Sequence, residues 1–161
     1  GRFAESLKMP VDEVRRLLFL MKQAEPGVTR LDESLKDRGR RGIPIRTWGG
    51  RLYHREEPKM IKEGPRHGEM QTFEYKLLNY LIQGSAADQT KQSMIDWYNH
   101  KGRNDVLLAA VHDEINICAP VGGHRQAMLI LRQQMDAPRF DVPFMSEGYF
   151  GPNWADIEEY V

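Results

Sequence analysis

Two short runs of apolar, strand-favouring residues lie near the C-terminus, and only two residues separate them. The runs are DVLLAAV, residues 105–111, and EINICA, residues 114–119. A two-residue connection between strands is typical of a tight antiparallel hairpin, so His112 and Asp113 are predicted to form its turn. Such a turn can hold ionisable side chains rigidly at a sheet edge, where they face solvent.

The two carboxylates of this segment, Asp113 and Glu114, are candidate metal ligands. Mg²⁺ takes one or two carboxylates and leaves its other positions to waters and phosphate oxygens. Adjacent side chains of an extended chain point to opposite faces, so one carboxylate is expected to bind the metal and the other to be secondary. The alternative is purely structural, because Asp and His are also good turn residues.

A long helix is predicted over residues 70–98, and it carries two amides on one face. Asn79 and Gln83 are four residues apart, which is the spacing of neighbours on a helix surface. Amide side chains donate and accept hydrogen bonds, as contacts with base edges and sugars require. Small residues follow over 84–87 and would allow another backbone or a duplex to approach. For either amide alone, an ordinary polar helix face is the alternative.

The remaining patterns predict an α+β fold with an antiparallel sheet. Helices are predicted over 9–27, 28–38 and 122–136, a hairpin over 43–54, a polar connection over 55–68 and an edge strand over 140–151. The apolar residues of the first helix follow the helical period and are expected to form a buried face. They are Val11, Val14, Leu17, Leu18 and Met21.

Charge is unevenly distributed along a chain whose net charge is zero. Residues 1–60 carry 14 Lys and Arg against 9 Asp and Glu, and residues 61–161 carry 9 against 14. The basic residues are densest in one segment, at Lys36, Arg38, Arg40, Arg41 and Arg46. This cluster is compatible with a phosphate-binding patch beside an acidic metal site, or with a solvated loop of arginines.

The composition is that of a globular protein of one ordinary domain, with 161 residues, 40% hydrophobic and 29% charged. No apolar run approaches the roughly 20 residues that a membrane-spanning helix needs, so no membrane partner is expected. Cys118 is the single cysteine, which excludes an internal disulfide and a multi-cysteine zinc site. A reducing, intracellular setting is expected.

Taken together, the motifs resemble those of the family A DNA polymerases, the DNA polymerase I type of bacteria and phages. NYLIQGSAAD is similar to the palm helix of that family, and VHDEI is similar to its third catalytic motif. FDVPFMSEGYFGPNW resembles the end of the polymerase chain. FAESLKMPVDEVRRLLFLMKQAEPGV and TWGGRLY resemble the stretch between fingers and palm, so the resemblance covers nearly the whole chain.

The resemblance implies a role for each candidate residue. Asp113 would bind catalytic magnesium, and Glu114 would lie beside the metal and support it. His112 would contact the primer terminus. Asn79 and Gln83 would hydrogen-bond the template–primer duplex through its minor groove. Minor-groove acceptors are similar for every correct base pair, so such contacts test geometry instead of sequence.

The resemblance also implies an incomplete polymerase domain. Residues 1–68 would form fingers-to-palm connecting helices and a hairpin. Residues 69–161 would form the palm, in which an antiparallel sheet with the catalytic hairpin packs against long helices. The family's second catalytic aspartate and its triphosphate-binding fingers helix have no counterpart in the sequence. Tyr75 stands where the family usually has Arg, and Lys76 follows it.

The function implied is that of a DNA-directed DNA polymerase, which adds dNTPs to a primer 3′ end by two-metal phosphoryl transfer. Two Mg²⁺ ions about 3.5–4 Å apart must be clamped from both sides, and one turn cannot hold both. The expected partners are therefore template–primer DNA, dNTP and a complementary N-terminal polypeptide that supplies the second aspartate.

Two other readings stay open from the sequence. A catalytically silent duplex DNA-binding module would keep the fold without the chemistry. A metal-dependent phosphohydrolase could use the His112–Asp113 pair, but it would need further histidines on nearby helices. The other histidines are scattered along the chain, at His54, His67, His100 and His124.

Overall fold

The chain alternates helices with short antiparallel strand pairs, as an α+β fold requires. The computed structural model describes residues 2–160. Its helices are α1 (Arg2–Leu7), α2 (Val11–Ala24), α3 (Pro26–Arg40), α4 (Leu77–His100) and α5 (His124–Met135). Its strands are β1 (Ile45–Arg46), β2 (Leu52–Tyr53), β3 (Lys59–Met60), β4 (Met70–Gln71), β5 (Val106–Val111), β6 (Glu114–Cys118), β7 (Tyr149–Phe150) and β8 (Glu158–Glu159).

The described chain divides into two compact units. The first contains residues up to 46 together with 51–82, and the second contains residues 47–50 together with those from 83 onward. Every strand pair is antiparallel, and within residues 2–160 each forms a separate two-stranded sheet. The prediction of antiparallel pairing is confirmed, whereas one continuous antiparallel sheet is not present in this part of the chain.

Helices α2 and α3 form where the sequence predicts them. Asp12 and Glu13 lie in the first turn of α2, where their charge favours the positive end of the helix dipole. Pro26 occupies the first turn of α3, a position that needs no backbone N–H donor. Helix α3 continues past its predicted end through Gly39, which is buried inside the last turn.

The predicted buried face of α2 is wrong for four of its five residues. Val14 is buried, but Val11, Leu17, Leu18 and Met21 are between 41% and 63% exposed. The helical period identified the apolar face correctly, but nothing in the described part of the first unit covers it. The core of this unit is formed instead by three side chains of α3, β1 and α4, namely Leu35, Ile45 and Leu77.

The segment before α4 differs from the prediction. Residues 59–60 pair with residues 70–71, although a structureless connection and the start of a helix were predicted there. The polar residues of this segment show no apolar alternation that would have indicated strands. A 3₁₀ turn, Glu74–Lys76, follows and leads directly into α4.

The core of the second unit joins the long hairpin to two helices. Trp97 of α4, Ile115 of β6 and Leu131 of α5 are buried against one another. The long hairpin therefore packs against both helices. Within residues 2–160, no helix has both the length and the hydropathy needed to cross a membrane.

The C-terminal strand is much shorter than predicted. Only Tyr149 and Phe150 are extended and paired, and their partners are Glu158 and Glu159. Upstream, the carboxylate of Asp136 accepts hydrogen bonds from the backbone N–H and the hydroxyl of Ser146, both at 2.7 Å. Ser146 is therefore held by the side chain of Asp136 and not by a paired strand.

Candidate active-site hairpin and palm helix

The hairpin places its ionisable residues in a two-residue turn. Val111 pairs with Glu114, so His112 and Asp113 form the connection, as predicted. His112 has a φ of +56°, in the left-handed region. A positive φ at the first turn position belongs to the hairpin turns that fit the twist of the strands, and His adopts this region more readily than most residues.

Burial of the neighbouring strand residue fixes the direction of these side chains. Ile115 is buried, and the residue before it, Glu114, lies on the other face because strand side chains alternate. His112, Asp113 and Glu114 are all exposed. The buried side chain of Ile115 therefore anchors the hairpin in the core, and three ionisable groups face solvent.

A bulge in β5 distorts the hairpin close to the turn. Leu107 faces Ile117 while Ala109 faces Asn116, so Leu108 is an extra residue in the ladder. Bulges of this kind increase local twist and re-aim nearby side chains. The side chain of Leu108 is 62% exposed.

The turn provides too few ligands for a complete metal site. Within residues 2–160, no three His, Cys, Asp or Glu side chains form a group that could hold a metal ion. Mg²⁺ is commonly bound through one or two carboxylates, with waters and substrate phosphates completing its shell. An exposed aspartate followed by a glutamate fits a contribution to such a site, with the remaining ligands coming from elsewhere.

The two predicted amides lie on α4 and are both exposed. Asn79 is in the first turn of the helix, and Gln83 is one turn further along. Gly84, next to Gln83, is buried. The structure therefore brings His112, Asp113 and Glu114 together at one turn and places the two amides on a different element.

A loop beside Gln83 is fixed by a carboxylate that the sequence patterns did not single out. Asp88 of α4 is buried and accepts hydrogen bonds from the Thr47 hydroxyl and from the backbone N–H of Gly49, the latter at 2.9 Å. The backbone N–H of Trp48 donates to the Ser85 hydroxyl at 3.0 Å. Asp88 belongs to the NYLIQGSAAD segment, so that motif was the available signal.

Arg139 is the second group that the sequence analysis missed. Its guanidinium donates to Asp96 at 2.6 Å and to the Gln134 carbonyl at 2.9 Å. It also donates to the side-chain amide oxygen of Gln89 and to the Ser93 hydroxyl, both at 3.2 Å. The hydrogen bond from Arg139 lowers the pKa of Asp96. These contacts fasten the segment after α5 to the middle of α4.

Comparison with known proteins identifies the family. The sequence model of DNA polymerase family A matches residues 1–156. The chain belongs to this family. This family A chain is 29% identical to DNA polymerase I of Chloroflexus aurantiacus over 159 residues, which is 96% of the chain and 16% of that relative. It is 32% identical to DNA polymerase I of Borreliella burgdorferi over 84 residues, 50% of the chain and 9% of that relative.

A solved polymerase structure supports the same assignment. The family A chain superimposes on the POL domain of Pol1 from M. smegmatis, solved with a DNA primer-template and dNTP, with a TM-score of 0.72 and 26% identity. The match covers 87% of this chain and 25% of that one. The chain thus spans a minor part of each relative, and the resemblance seen in its motifs is confirmed.

Proposed function

We propose that the chain is the C-terminal palm portion of a DNA-directed DNA polymerase that extends a primer with dNTPs. The observation that carries the proposal is the exposed His112–Asp113–Glu114 turn on an anchored hairpin, in a chain of DNA polymerase family A. The POL domain that it resembles was solved with a primer-template and dNTP, which supports the same substrates for this chain. We place the reaction in the cytoplasm of a bacterial cell or a phage-infected host.

Asp113 is the proposed magnesium ligand, because it is an exposed carboxylate in a turn whose backbone is fixed by pairing on both sides. Glu114 supports the site from the first residue of β6. His112 has a donor-capable ring beside them and is proposed to contact the primer terminus. When bound, magnesium would neutralise charge on phosphate oxygens and stabilise the attacking and leaving oxygens.

Asn79 and Gln83 are the proposed duplex contacts. Both side chains are exposed on α4, and each can donate to an acceptor in the minor groove. Such contacts do not depend on base identity, so they would position any correctly paired primer end. The loop held by Asp88 supports α4 next to Gln83.

The second metal ligand and the triphosphate-binding helix must come from the rest of the polymerase domain, supplied as a complementary N-terminal polypeptide. Exposed apolar surface supports this requirement. Within residues 2–160, β5 pairs with β6 alone, and its Val106, Leu108 and Val111 are 52% to 62% exposed. Residues 1–68 are assigned to the fingers-to-palm connection and residues 69–161 to the palm.

The test is Mg²⁺-dependent primer extension by the assembled polymerase, meaning this chain together with the portion that supplies the second aspartate. Asp113→Asn removes the ligand charge and keeps the side-chain shape. Extension should fall by about 10³-fold or more, since a metal ligand contributes several kcal/mol to the barrier. Asp141→Asn is the matched control, because Asp141 is also exposed in the second unit.

The outcome also separates the other readings. Near-normal extension by Asp113→Asn would show that Asp113 is not the ligand. DNA binding without extension by any assembled wild-type mixture would favour a silent duplex-binding module. Metal-dependent phosphate release from small phosphate esters, without extension, would favour a phosphohydrolase.

A further inference from the structure

An open cleft of about 580 Å³ lies in the first unit, away from the hairpin in sequence. Its lining residues come from the end of α3 and from the segment leading into α4. They are Lys36, Arg40, Thr72, Glu74 and Tyr75. The lining thus combines two cations, a hydroxyl and an aromatic ring with one carboxylate.

Close packing of α3 forms this cleft. A Cβ on Gly39 would lie 2.5 Å from the Leu77 side chain and 3.5 Å from that of Glu74. Glycine at this position therefore lets the last turn of α3 rest directly on the start of α4. The next residue, Arg40, and the exposed ring of Tyr75 then flank the same space.

The carboxylate in the cleft, Glu74, is ionised and paired with an arginine. Glu74 is 8% exposed and accepts a hydrogen bond from Arg55 at 2.8 Å. A hydrogen bond from Thr72, together with that from Arg55, lowers the pKa of Glu74 to about 2. Its negative charge is balanced by Arg55, at 2.8 Å.

Most basic side chains of the cluster predicted from the sequence have partners within the chain, as does Lys76. Arg38 donates to the Pro44 carbonyl at 2.9 Å, and Arg41 lies 3.6 Å from Asp37. Lys36 forms an ion pair with Asp32, and Lys76 forms one with Glu56. Arg46 also has interactions within the structure.

Arg40 is different, because it is exposed and its guanidinium forms no hydrogen bond or ion pair with the described residues 2–160. Within the predicted basic cluster, Arg40 and Lys36 line the cleft, and Lys36 is shared between the cleft and Asp32.

We infer that this cleft binds the phosphodiester backbone of DNA, with the Arg40 guanidinium at a phosphate and the Tyr75 ring against the adjoining nucleotide. The inference rests on the proposed function and names a DNA contact outside the hairpin and the amide face. Guanidinium groups bind phosphate oxygens through two parallel N–H bonds. A Tyr ring that is 56% exposed offers a stacking surface beside that charge.

The source of the backbone is either the duplex or the single-stranded template overhang. Fluorescence anisotropy with a labelled blunt duplex and a labelled primer–template carrying an overhang distinguishes them. Arg40→Gln should weaken binding of the contacted DNA about 3–10-fold at moderate salt. It should reduce the slope of log K against log salt by about 0.9 for duplex or about 0.7 for a single strand.

Two further variants sharpen the test. Arg30→Gln removes the same charge from an exposed position on the same helix, outside the cleft, and should leave the slope unchanged. Tyr75→Ala should weaken binding without changing the slope, because it removes an uncharged contact. The same circular dichroism spectrum for all variants would show that each is folded.

Equal affinity and equal slope for Arg40→Gln and Arg30→Gln would overturn the inference, as would an absence of DNA binding by the wild-type chain at low salt. The result is separable from the proposed function. If the salt slope depends on Arg40 in a protein that never extends primers, the cleft binds DNA and the proposed polymerase function is wrong. If Asp113→Asn loses extension while DNA binding does not depend on Arg40, the polymerase function stands and the inference about the cleft is wrong.

Discussion

The carboxylate of Asp88 accepts the backbone N–H of Gly49 at 2.9 Å, and a Cβ on Gly49 would lie 2.6 Å from the Asp88 Cγ. Glycine is required here because the loop backbone approaches the helix too closely for any side chain. The hairpin predicted over 43–54 contains a glycine pair at 49–50. Gly50 adopts the left-handed backbone of a turn, with a φ of +90°, whereas Gly49 attaches the loop to α4 through its contact with Asp88.

Replacement of Gly49 should therefore destabilise the fold. Gly49→Ala is expected to lower the free energy of unfolding by about 1–3 kcal/mol, as overpacking in a tight contact does. Gly27→Ala is the control, since nothing lies within 4 Å of a Cβ there, and it should be neutral or stabilise α3 by up to about 1 kcal/mol. Urea unfolding followed by circular dichroism measures both. Equal effects would show that the contact with Asp88 does not constrain position 49.

The amides of α4 should affect primer extension without affecting the metal. Asn79→Ala and Gln83→Ala each remove a hydrogen bond worth about 1 kcal/mol, or roughly fivefold in rate. Extension by the assembled polymerase should slow by that factor at an unchanged Mg²⁺ dependence. Asn99→Ala, an exposed amide at the other end of the helix, should extend like the wild type. Wild-type kinetics for Asn79→Ala and Gln83→Ala would make both ordinary surface residues.

The Glu74 carboxylate, which accepts hydrogen bonds from Thr72 and Arg55, should make stability depend on pH. Glu74 has an ordinary pKa of 4.5 when unfolded and about 2 when folded. A lowered folded pKa stabilises the native state above about pH 4.5, and this stabilisation is lost as the pH falls from 4.5 towards 2. The hydrogen bonds to Glu74, first that from Thr72 and then that from Arg55, together contribute on the order of a few kcal/mol at neutral pH.

Urea unfolding at a series of pH values measures this contribution. Glu74→Gln should flatten the acid limb of the stability curve. Glu33→Gln, which removes an exposed carboxylate of α3, should leave that limb in place. An acid limb that persists unchanged in Glu74→Gln would exclude Glu74 as its source.

The sequence predicted the elements that depend on local chemistry. The His112–Asp113 turn follows from two β-favouring runs that are two residues apart, and α2 and α3 follow from apolar periodicity. The pairing of β3 with β4 and of β7 with β8 was not predicted, because such short segments carry too little pattern to identify a partner. The end of the predicted strand over 140–151 was right only at Tyr149 and Phe150.

Contacts between distant residues were beyond sequence reasoning. The pairing of Asp88 with the loop at 47–50, and of Arg139 with Asp96, joins positions about 40 residues apart. The apolar face of α2 shows the opposite limit. Its periodicity identified which side chains prefer burial, but burial of Leu17, Leu18 and Met21 requires a surface that residues 2–160 do not provide.

We propose that the chain holds half of a two-metal polymerase site. The most direct measurement is primer extension with Mg²⁺, first by this chain alone and then with the complementary polypeptide. Extension should appear only in the mixture, because Asp113 and Glu114 cannot clamp two ions from both sides. Robust extension by the chain alone, in a preparation free of contaminating polymerase, would show that the half-site proposal is wrong.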